Sequence, residues 1–280
     1  MVTFELTHYL DHKRDGKDYN MTIKLDMSKA CDRVERGFIE KIMEHMGFHE
    51  RWINLIMHCI TTVTYSILIN GVAHGNIIPT RGLQQGDPLS PYLFLLCADG
   101  FSSLINQTAR NKMLNGVSIC RGCPMVTHLF FANDSLLFCK ASRQECQKIV
   151  EIHELYKVSY GQKINADKSS AFFSHNTLND TRSEVLEILG PMQDTRHGKY
   201  LSLPSIIGKS KKDVFAKVKE IVAKKLSGWK EKLLSIGGRE VLIKAMAQAI
   251  LIYTMSYFWL PKGLCEEIEG MMRRFWWGQR

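Results

Sequence analysis

LFFANDSLLF, Leu129 to Phe138, sets a polar pair inside a run that is otherwise almost wholly apolar. Strand-forming residues lead up to Asn133-Asp134, and Leu136, Leu137 and Phe138 resume directly after Ser135. The pattern predicts a β-hairpin whose tight turn presents two adjacent polar side chains. Such a turn can aim a carboxylate at a metal ion. Working outward, Thr22 to Met27 reads as a strand that delivers a second carboxylate, Asp26, within KLDMSKACDRV (Lys24 to Val34). Taken alone, an aspartate between a strand and a helix is more often a helix cap than a ligand.

A chain of 280 residues can bury a substantial core, as one large domain or as a domain with an appendage. Its net charge of +9 is concentrated: residues 195–244 hold 13 Lys or Arg against 4 Asp or Glu, and the remainder is neutral. A basic segment on a neutral body points to a polyanion, most often nucleic acid, beside the plainer reading of a solvated lysine-rich helix face. Eight cysteines at irregular spacing read as reduced, intracellular usage rather than a disulfide framework. Cys120-Arg-Gly-Cys123 is a lone CxxC with His128 nearby, a weak signal for zinc. No signal peptide is visible, and the uncharged run Ala245 to Leu260 is short for a membrane span. The expectation is an intracellular protein, nuclear or cytoplasmic, with no membrane partner.

Along the chain, Phe4, Leu6, Tyr9 and Leu10 predict a short helix. Apolar residues from Ile39 to Ile60 keep helical spacing with a break near Gly47. Thr62 to Asn70 alternates and ends in Asn70-Gly71, a hairpin signal. Pro88 and Pro91 open an apolar helix running through Leu104, and another is expected from about Gln144 to Val158. Beyond residue 175 the character turns helical. Lys211 to Leu226 reads as a basic amphipathic helix with Val214, Val218, Ile221 and Val222 on one face, and Arg239 to Phe258 as a more apolar helix after a Gly237-Gly238 break.

The order of the motifs is more telling than any one of them. KLDMSKACDRV is followed by RGLQQGDPLSPYLF (Arg81 to Phe94), FANDSLLF, GQKINADKS (Gly161 to Ser169) and KYLSLP (Lys199 to Pro204). LSGWKEKLLSIGGREVLIKAMAQAI and a terminal FWWG complete the series. In this order the segments closely resemble the reverse transcriptase of plant LINE-type (non-LTR) retrotransposons, over nearly all of the chain.

That resemblance implies an α+β fold: a polymerase palm, with an antiparallel sheet backed by helices, over residues 1–194, then a basic helical thumb over 195–280. It implies two Mg²⁺ ions that activate a primer hydroxyl, hold a triphosphate and stabilise the attacking and leaving oxygens. Asp26 falls on the metal-binding aspartate of the first motif, and Asn133-Asp134 on the catalytic pair of aspartates. Gln85 and Gly86 fall on the loop against template and incoming nucleotide. Cys31 stands where the family has a tyrosine that excludes a ribose 2′-hydroxyl. Lys168 falls on the basic residue facing the triphosphate. Tyr200 lies in the hairpin that grips the primer end, and Lys211, Lys212, Lys224 and Lys225 lie on thumb helices that follow the phosphates. The implied partners are an RNA or DNA template, a DNA primer and deoxynucleotides.

The chain also departs from the family. Asn133 replaces an aspartate, which removes one negative charge from the metal pair. A loss of several kcal/mol of charge stabilisation corresponds to roughly a thousandfold or more in rate. Gln84, Tyr160 and Ser202 replace an arginine, a serine and a glycine of the family pattern. The chain begins about where the family's fingers end and stops where the family continues. Three readings result: a retrotransposon-derived reverse transcriptase with impaired catalysis, a non-catalytic nucleic-acid-binding remnant, or a pseudogene product.

Overall fold

Residues 20–27 alternate polar and apolar at the two-residue period of a strand, and the structure follows them. In the computed structural model of the chain, β1 (Asn20–Asp26) sends Met21, Ile23 and Leu25 into the core. The alternation turns Asn20, Thr22, Lys24 and Asp26 to the other face. The structure describes residues 2–132, 134–194, 199–200, 203–204, 211–228 and 234–278, and of 199–200, 203–204 and 211–214 the backbone only. Two compact units result, residues 6–196 and residues 2–5 with 197–280.

In the first unit, β4 (His128–Phe131) and β5 (Asp134–Lys140) form the hairpin expected from LFFANDSLLF. With β6 (Ser170–Phe173) and β7 (Gln193–Asp194) they complete a sheet in the order β4-β5-β1-β6-β7. Its pairs are antiparallel except β6 with β7, which are parallel. The helices of this unit are α1 (Val2–His12), which begins before it, then α2 (Arg36–His45), α3 (Glu50–Thr61), α4 (Ser90–Arg110), α5 (Arg143–Tyr160) and α6 (Asn179–Leu189). Ile39 and Met43 of α2, Ile53 and Ile56 of α3, Leu93, Cys97 and Phe101 of α4 and Ile149 and Tyr156 of α5 form one buried cluster with the inward residues of β1, β5 and β6. The Phe101 ring stacks on Phe130 and on Tyr156, with centroids 5.4 Å and 4.4 Å away. Each such buried side chain contributes roughly 1.5–3 kcal/mol. The sheet backed by helices is the α+β architecture implied by the sequence.

Helix boundaries have local causes. The Ser142 side chain accepts from the Glu145 amide at the start of α5, and Gly161 ends that helix at φ 78°, a left-handed conformation. The predicted break near Gly47 separates α2 from α3. Asn70 (φ 50°) and Gly71 (φ 82°) turn β2 (Tyr65–Ile69) into β3 (Val72–Ile77). This two-stranded hairpin is open to solvent on both strands, with Ile67, Leu68, Ile69, Val72 and Ile77 47–72% exposed.

The second unit is mainly helical. It holds the short antiparallel pair β8 (Lys199–Tyr200) and β9 (Leu203–Pro204), then α7 (Lys211–Gly228), α8 (Ile236–Leu242), a π-helical stretch Ile243–Gln248, α9 (Ala249–Met255) and α10 (Lys262–Trp277). Phe215, Val218, Val222 and Leu226 recur at helical spacing on α7 and pack with Ala247, Leu264, Ile268 and Phe275. Two sequence expectations are corrected here. Ile221 is 42% exposed, because the buried stripe runs through Phe215 and Leu226 instead. Gly237-Gly238 is not a break: both lie in the first turn of α8, where the Ser235 side chain accepts from the Gly238 amide at 3.1 Å. No helix among the described residues is long and apolar enough to cross a membrane.

Candidate active site

The β1/β5 register decides where the two acids meet. Ile23 pairs with Leu137 and Leu25 with Ser135, and counting on along both strands sets Asp26 directly opposite Asp134. Directly opposed residues share a face of the sheet, with side chains about 4.5–5.5 Å apart at Cβ. That face is the one turned away from the helical core, so the acids stand at the polar end of β1. Phe131 pairs with Asp134, leaving residues 132–133 as the connection, with Ala132 at φ 50°. A left-handed conformation in a residue other than glycine costs roughly 1–2 kcal/mol, which the tight strand connection imposes.

Lys24 shares the acids' face, and its Nζ lies 3.3 Å from Asp134 Oδ1. The two side chains are 25% and 21% exposed, so the ion pair is worth about 1 kcal/mol at most. Two half-open carboxylates on neighbouring strands are hard oxygen donors of the kind a small divalent cation takes, usually through one or two carboxylates plus substrate phosphates. The ammonium already seated against Asp134 shows that this spot draws positive charge. Among the described residues no group of three or more His, Cys, Asp or Glu side chains is placed to hold a metal.

Segment 161–169 is stitched along the end of β1. The Asp26 amide donates to Ser169 Oγ at 3.1 Å, and its carbonyl accepts from the Asn165 amide at 2.9 Å. Ser169 Oγ in turn donates to the Asn165 carbonyl at 2.8 Å. Met27 bridges Ile164, and the Ser28 amide donates to the Lys163 carbonyl. Lys168 belongs to a 3-10 turn, Ala166–Lys168, set against this junction, with its side chain exposed. Gln162, 1% exposed, donates from Nε2 to the Ala30 carbonyl at 2.7 Å. A Cβ on Gly161 would come within 2.6 Å of the Arg33 carbonyl, so glycine is needed there for space as well as for conformation.

The same stretch after Asp26 carries Cys31, in a 3-10 turn Cys31–Arg33, and this turn receives a second loop. The Cys31 carbonyl accepts from the Leu83 amide at 2.9 Å and the Val34 carbonyl from Gly82 at 2.8 Å. A side chain on Gly82 would strike the Asp32 carbonyl at 2.8 Å. Burial, and then Asp32, push the half-buried Cys31 thiol upward, so it is a neutral group of small volume. Gln85 and Gly86 follow on that loop, both exposed, and Gly86 takes φ 94° with nothing of the chain near its absent Cβ. Asp32, Tyr65, Arg81, Gln84 and Gln85 border an open pocket of about 440 Å³ beside the loop.

The structure thus brings Asp26, Asp134 and the Lys168 turn to one sheet end, and sews the Gln85-Gly86 loop onto the turn that holds Cys31. Lys224 and Lys225 are exposed on α7, in the second unit. Asn133 and Ser202 lie outside the described residues, as do the side chains of Tyr200, Lys211, Lys212 and Val214. Tyr160, which replaces a serine of the family pattern, is fully buried, its ring 5.1 Å from Phe38 and 4.8 Å from Tyr156. His128, considered beside the CxxC, is engaged elsewhere, with Nε2 at 2.8 Å from Ser102 Oγ and Nδ1 at 2.9 Å from Thr127 Oγ1, and burial lowers its pKa. Sequence reasoning missed Lys24, Ser169 and Gln162. All three sit inside quoted motifs, Lys24 as the first residue of KLDMSKACDRV and the other two in GQKINADKS.

Comparison with known proteins gives this geometry a family. Residues 2–204 match the model of the reverse transcriptase (RNA-dependent DNA polymerase) family. The chain is similar to an uncharacterized mitochondrial protein of Arabidopsis thaliana, 44% identical over 68 residues, covering 24% of this chain and 56% of that protein. It is also similar to the retrovirus-related Pol polyprotein of the type-1 retrotransposable element R2 of Popillia japonica. The identity there is 34% over 133 residues, covering 47% of this chain and 21% of the polyprotein. A structure of telomerase from Candida albicans with a fragment of telomeric RNA aligns at TM-score 0.47 and 12% identity, covering 98% of this chain and 47% of that one. The chain spans just over half the length of the first of these relatives and about a fifth of the second. With the family model matched over most of its length, and with retrotransposon proteins among its relatives, the chain belongs to the reverse transcriptase family, in its non-LTR retrotransposon branch.

Proposed function

We propose that the chain is a retrotransposon-derived polymerase whose site is built on Asp26 and Asp134 and weakened by Asn133. The observation that carries this reading is the register that sets Asp26 opposite Asp134 at the end of the sheet. In this reading residues 1–194 act as the palm and 195–280 as the thumb. Asp26 and Asp134 would hold Mg²⁺, which when bound supplies positive charge at the attacking and leaving oxygens. Asn133 would offer a neutral oxygen where the family has a carboxylate, so the cation is held by one charge fewer. Lys24 would have to leave Asp134 as the cation arrives.

The remaining residues bind and orient. Lys168 would face the triphosphate and supply a proton to the leaving pyrophosphate. The backbone of Gln85 and Gly86 would lie against template and incoming nucleotide, where Gly86 admits close approach. Cys31 would leave space for a 2′-hydroxyl that a phenol ring would fill. Tyr200 would contact the primer end, and Lys211, Lys212, Lys224 and Lys225 the phosphates of the duplex. Template, primer and deoxynucleotides are thus the proposed partners, and the nucleus or cytoplasm the proposed setting.

The concentration of the net charge in residues 195–244 favours a second reading, a nucleic-acid-binding protein without catalysis. Two assays decide. Primer extension with Mg²⁺ and deoxynucleotides should give no product from the chain as it stands; robust extension would overturn the impairment. Mn²⁺ titration followed by electron paramagnetic resonance should show weak binding that tightens in Asn133→Asp. Equal affinity in the two proteins would remove Asn133 from the site.

A further inference from the structure

We propose that Cys120 and Cys123 form a reversible dithiol–disulfide pair, oxidised by exchange with a low-molecular-weight disulfide of the glutathione type. The polymerase reading makes no use of these residues. Their loop is closed at its neck by a two-bond bridge, Val117 amide to Val126 carbonyl at 2.9 Å and Val126 amide to Val117 carbonyl at 3.0 Å. The neck is tight, since a Cβ on Gly116 would lie 2.4 Å from the Val126 carbonyl. Inside it the chain folds back. The Cys123 amide donates to the Cys120 carbonyl at 3.1 Å, and Gly122 takes φ 89°, which a side chain would resist. The Ser118 hydroxyl lies 2.9 Å from the Cys120 carbonyl and 3.1 Å from the Cys123 carbonyl.

These backbone and hydroxyl bonds hold the two cysteines at a Cα separation of 5.5 Å, within the usual range for a disulfide, and the sulfurs are paired. Both residues are exposed, so a small disulfide can reach them. Arg121, between them in sequence and exposed, adds a positive charge to the loop, which favours the thiolate, the species that reacts. Their setting differs from that of Cys97, Cys139 and Cys146, which are buried and held as thiols. The proposal departs at this pair from the sequence reading of eight reduced cysteines.

The chemistry balances with the named oxidant. One protein thiolate attacks a sulfur of the small disulfide, whose S–S bond breaks and releases one small thiol. The second protein thiolate then attacks the protein sulfur of the mixed disulfide and expels the other small thiol. Two electrons pass from the cysteine pair to the small disulfide, and the two protons of the protein thiols end on the released thiols.

Arg121 also makes the test direct, because trypsin cuts after it, between the two sulfurs. The full chain is equilibrated in mixtures of glutathione and glutathione disulfide, quenched in acid, alkylated under denaturing conditions and digested. In oxidising mixtures peptides 113–121 and 122–140 should stay joined, with fragmentation placing the link on Cys123 rather than the buried Cys139. In reducing mixtures they should separate, both thiols appearing together. Cys59, an exposed single thiol, should carry only a glutathione adduct. Cys120→Ser should accumulate a Cys123–glutathione adduct well above the wild-type level, because the second attack is lost. Separate glutathione adducts on wild-type Cys120 and Cys123, a link to Cys139, or an adduct level unchanged in Cys120→Ser would overturn the proposal.

Discussion

The acidic end of the sheet and the lysine-bearing helix α7 are assembled in opposite ways. Asp26 and Asp134 are distant in sequence and become neighbours only because two strands pair in one register over a common core. Lys224 and Lys225 need nothing but helical spacing, which buries Val222 and Leu226 and leaves them in solvent. A site of the first kind is as stable as the core beneath it. A site of the second kind answers to charge and salt. The two should therefore fail under different insults.

The largest contrast should come from the core. Phe138 on β5 is fully buried, and Phe215 is its counterpart on α7. Phe138→Ala should destabilise by about 3–5 kcal/mol and abolish cation binding at Asp26 and Asp134. Phe215→Ala should cost a similar amount while hydrogen exchange in β1 and β5 stays protected. Equal loss of protection in both units from either change would erase the distinction between them.

Alkali should separate the regions next. Burial pushes the thiols of Cys97 and Cys146 up to about 12, from an ordinary value of 9.0, and raises the Tyr156 and Tyr160 hydroxyls as well. A group whose pKa is raised by folding contributes stability that is complete below the unfolded value and disappears toward the folded one. The sheet unit should therefore lose stability between about pH 9 and 12, with a shallower loss in Cys97→Ala. A melting profile flat across that window would refute the assignment.

At the acids themselves, Asn133→Asp should tighten Mn²⁺ about tenfold, or roughly 1.4 kcal/mol, and Lys24→Met severalfold by removing the competing ammonium. Asp134→Asn should lose the ion. Weaker binding in Lys24→Met would mean that Lys24 supports the cation rather than competes with it. The smallest effect belongs to α7. Lys224→Glu with Lys225→Glu should weaken duplex binding a few-fold at low salt, without regard to sequence, and flatten its salt dependence by about one unit of slope for each phosphate no longer neutralised. Undiminished binding would move the nucleic-acid surface elsewhere.

What could be read from the sequence follows this division. The strand at Asp26, the hairpin at Asp134 and the paired helices α2 and α3 announce themselves through alternation, helical spacing and glycine. The stitching of Ser169 to the Asp26 amide could not be read, because it joins segments that no local period relates. Lys24 was invisible for the same reason: a lysine in a strand means nothing until its cross-strand diagonal is known to be an aspartate. Gly237-Gly238 misled because glycine is a breaker only on average, and Ser235 supplies a cap that outweighs it. Strand β6 passed unread because it is four residues long, and α10 although Leu264, Ile268 and Phe275 keep helical spacing.

A strand has two sides, and in β1 they are under different rules. Inserting or deleting one residue between Asn20 and Asp26 would move Met21, Ile23 and Leu25 to the face of Lys24 and Asp26 and draw Lys24 and Asp26 inward, which no core of this kind tolerates. A substitution at the tip of the outer side leaves those side chains where they are. Mutation can therefore erode the chemistry of this chain one letter at a time while its shape persists, but a shift of frame within the strand would take both at once. Among copies of such a gene, the outer carboxylates should vary long before strand length does.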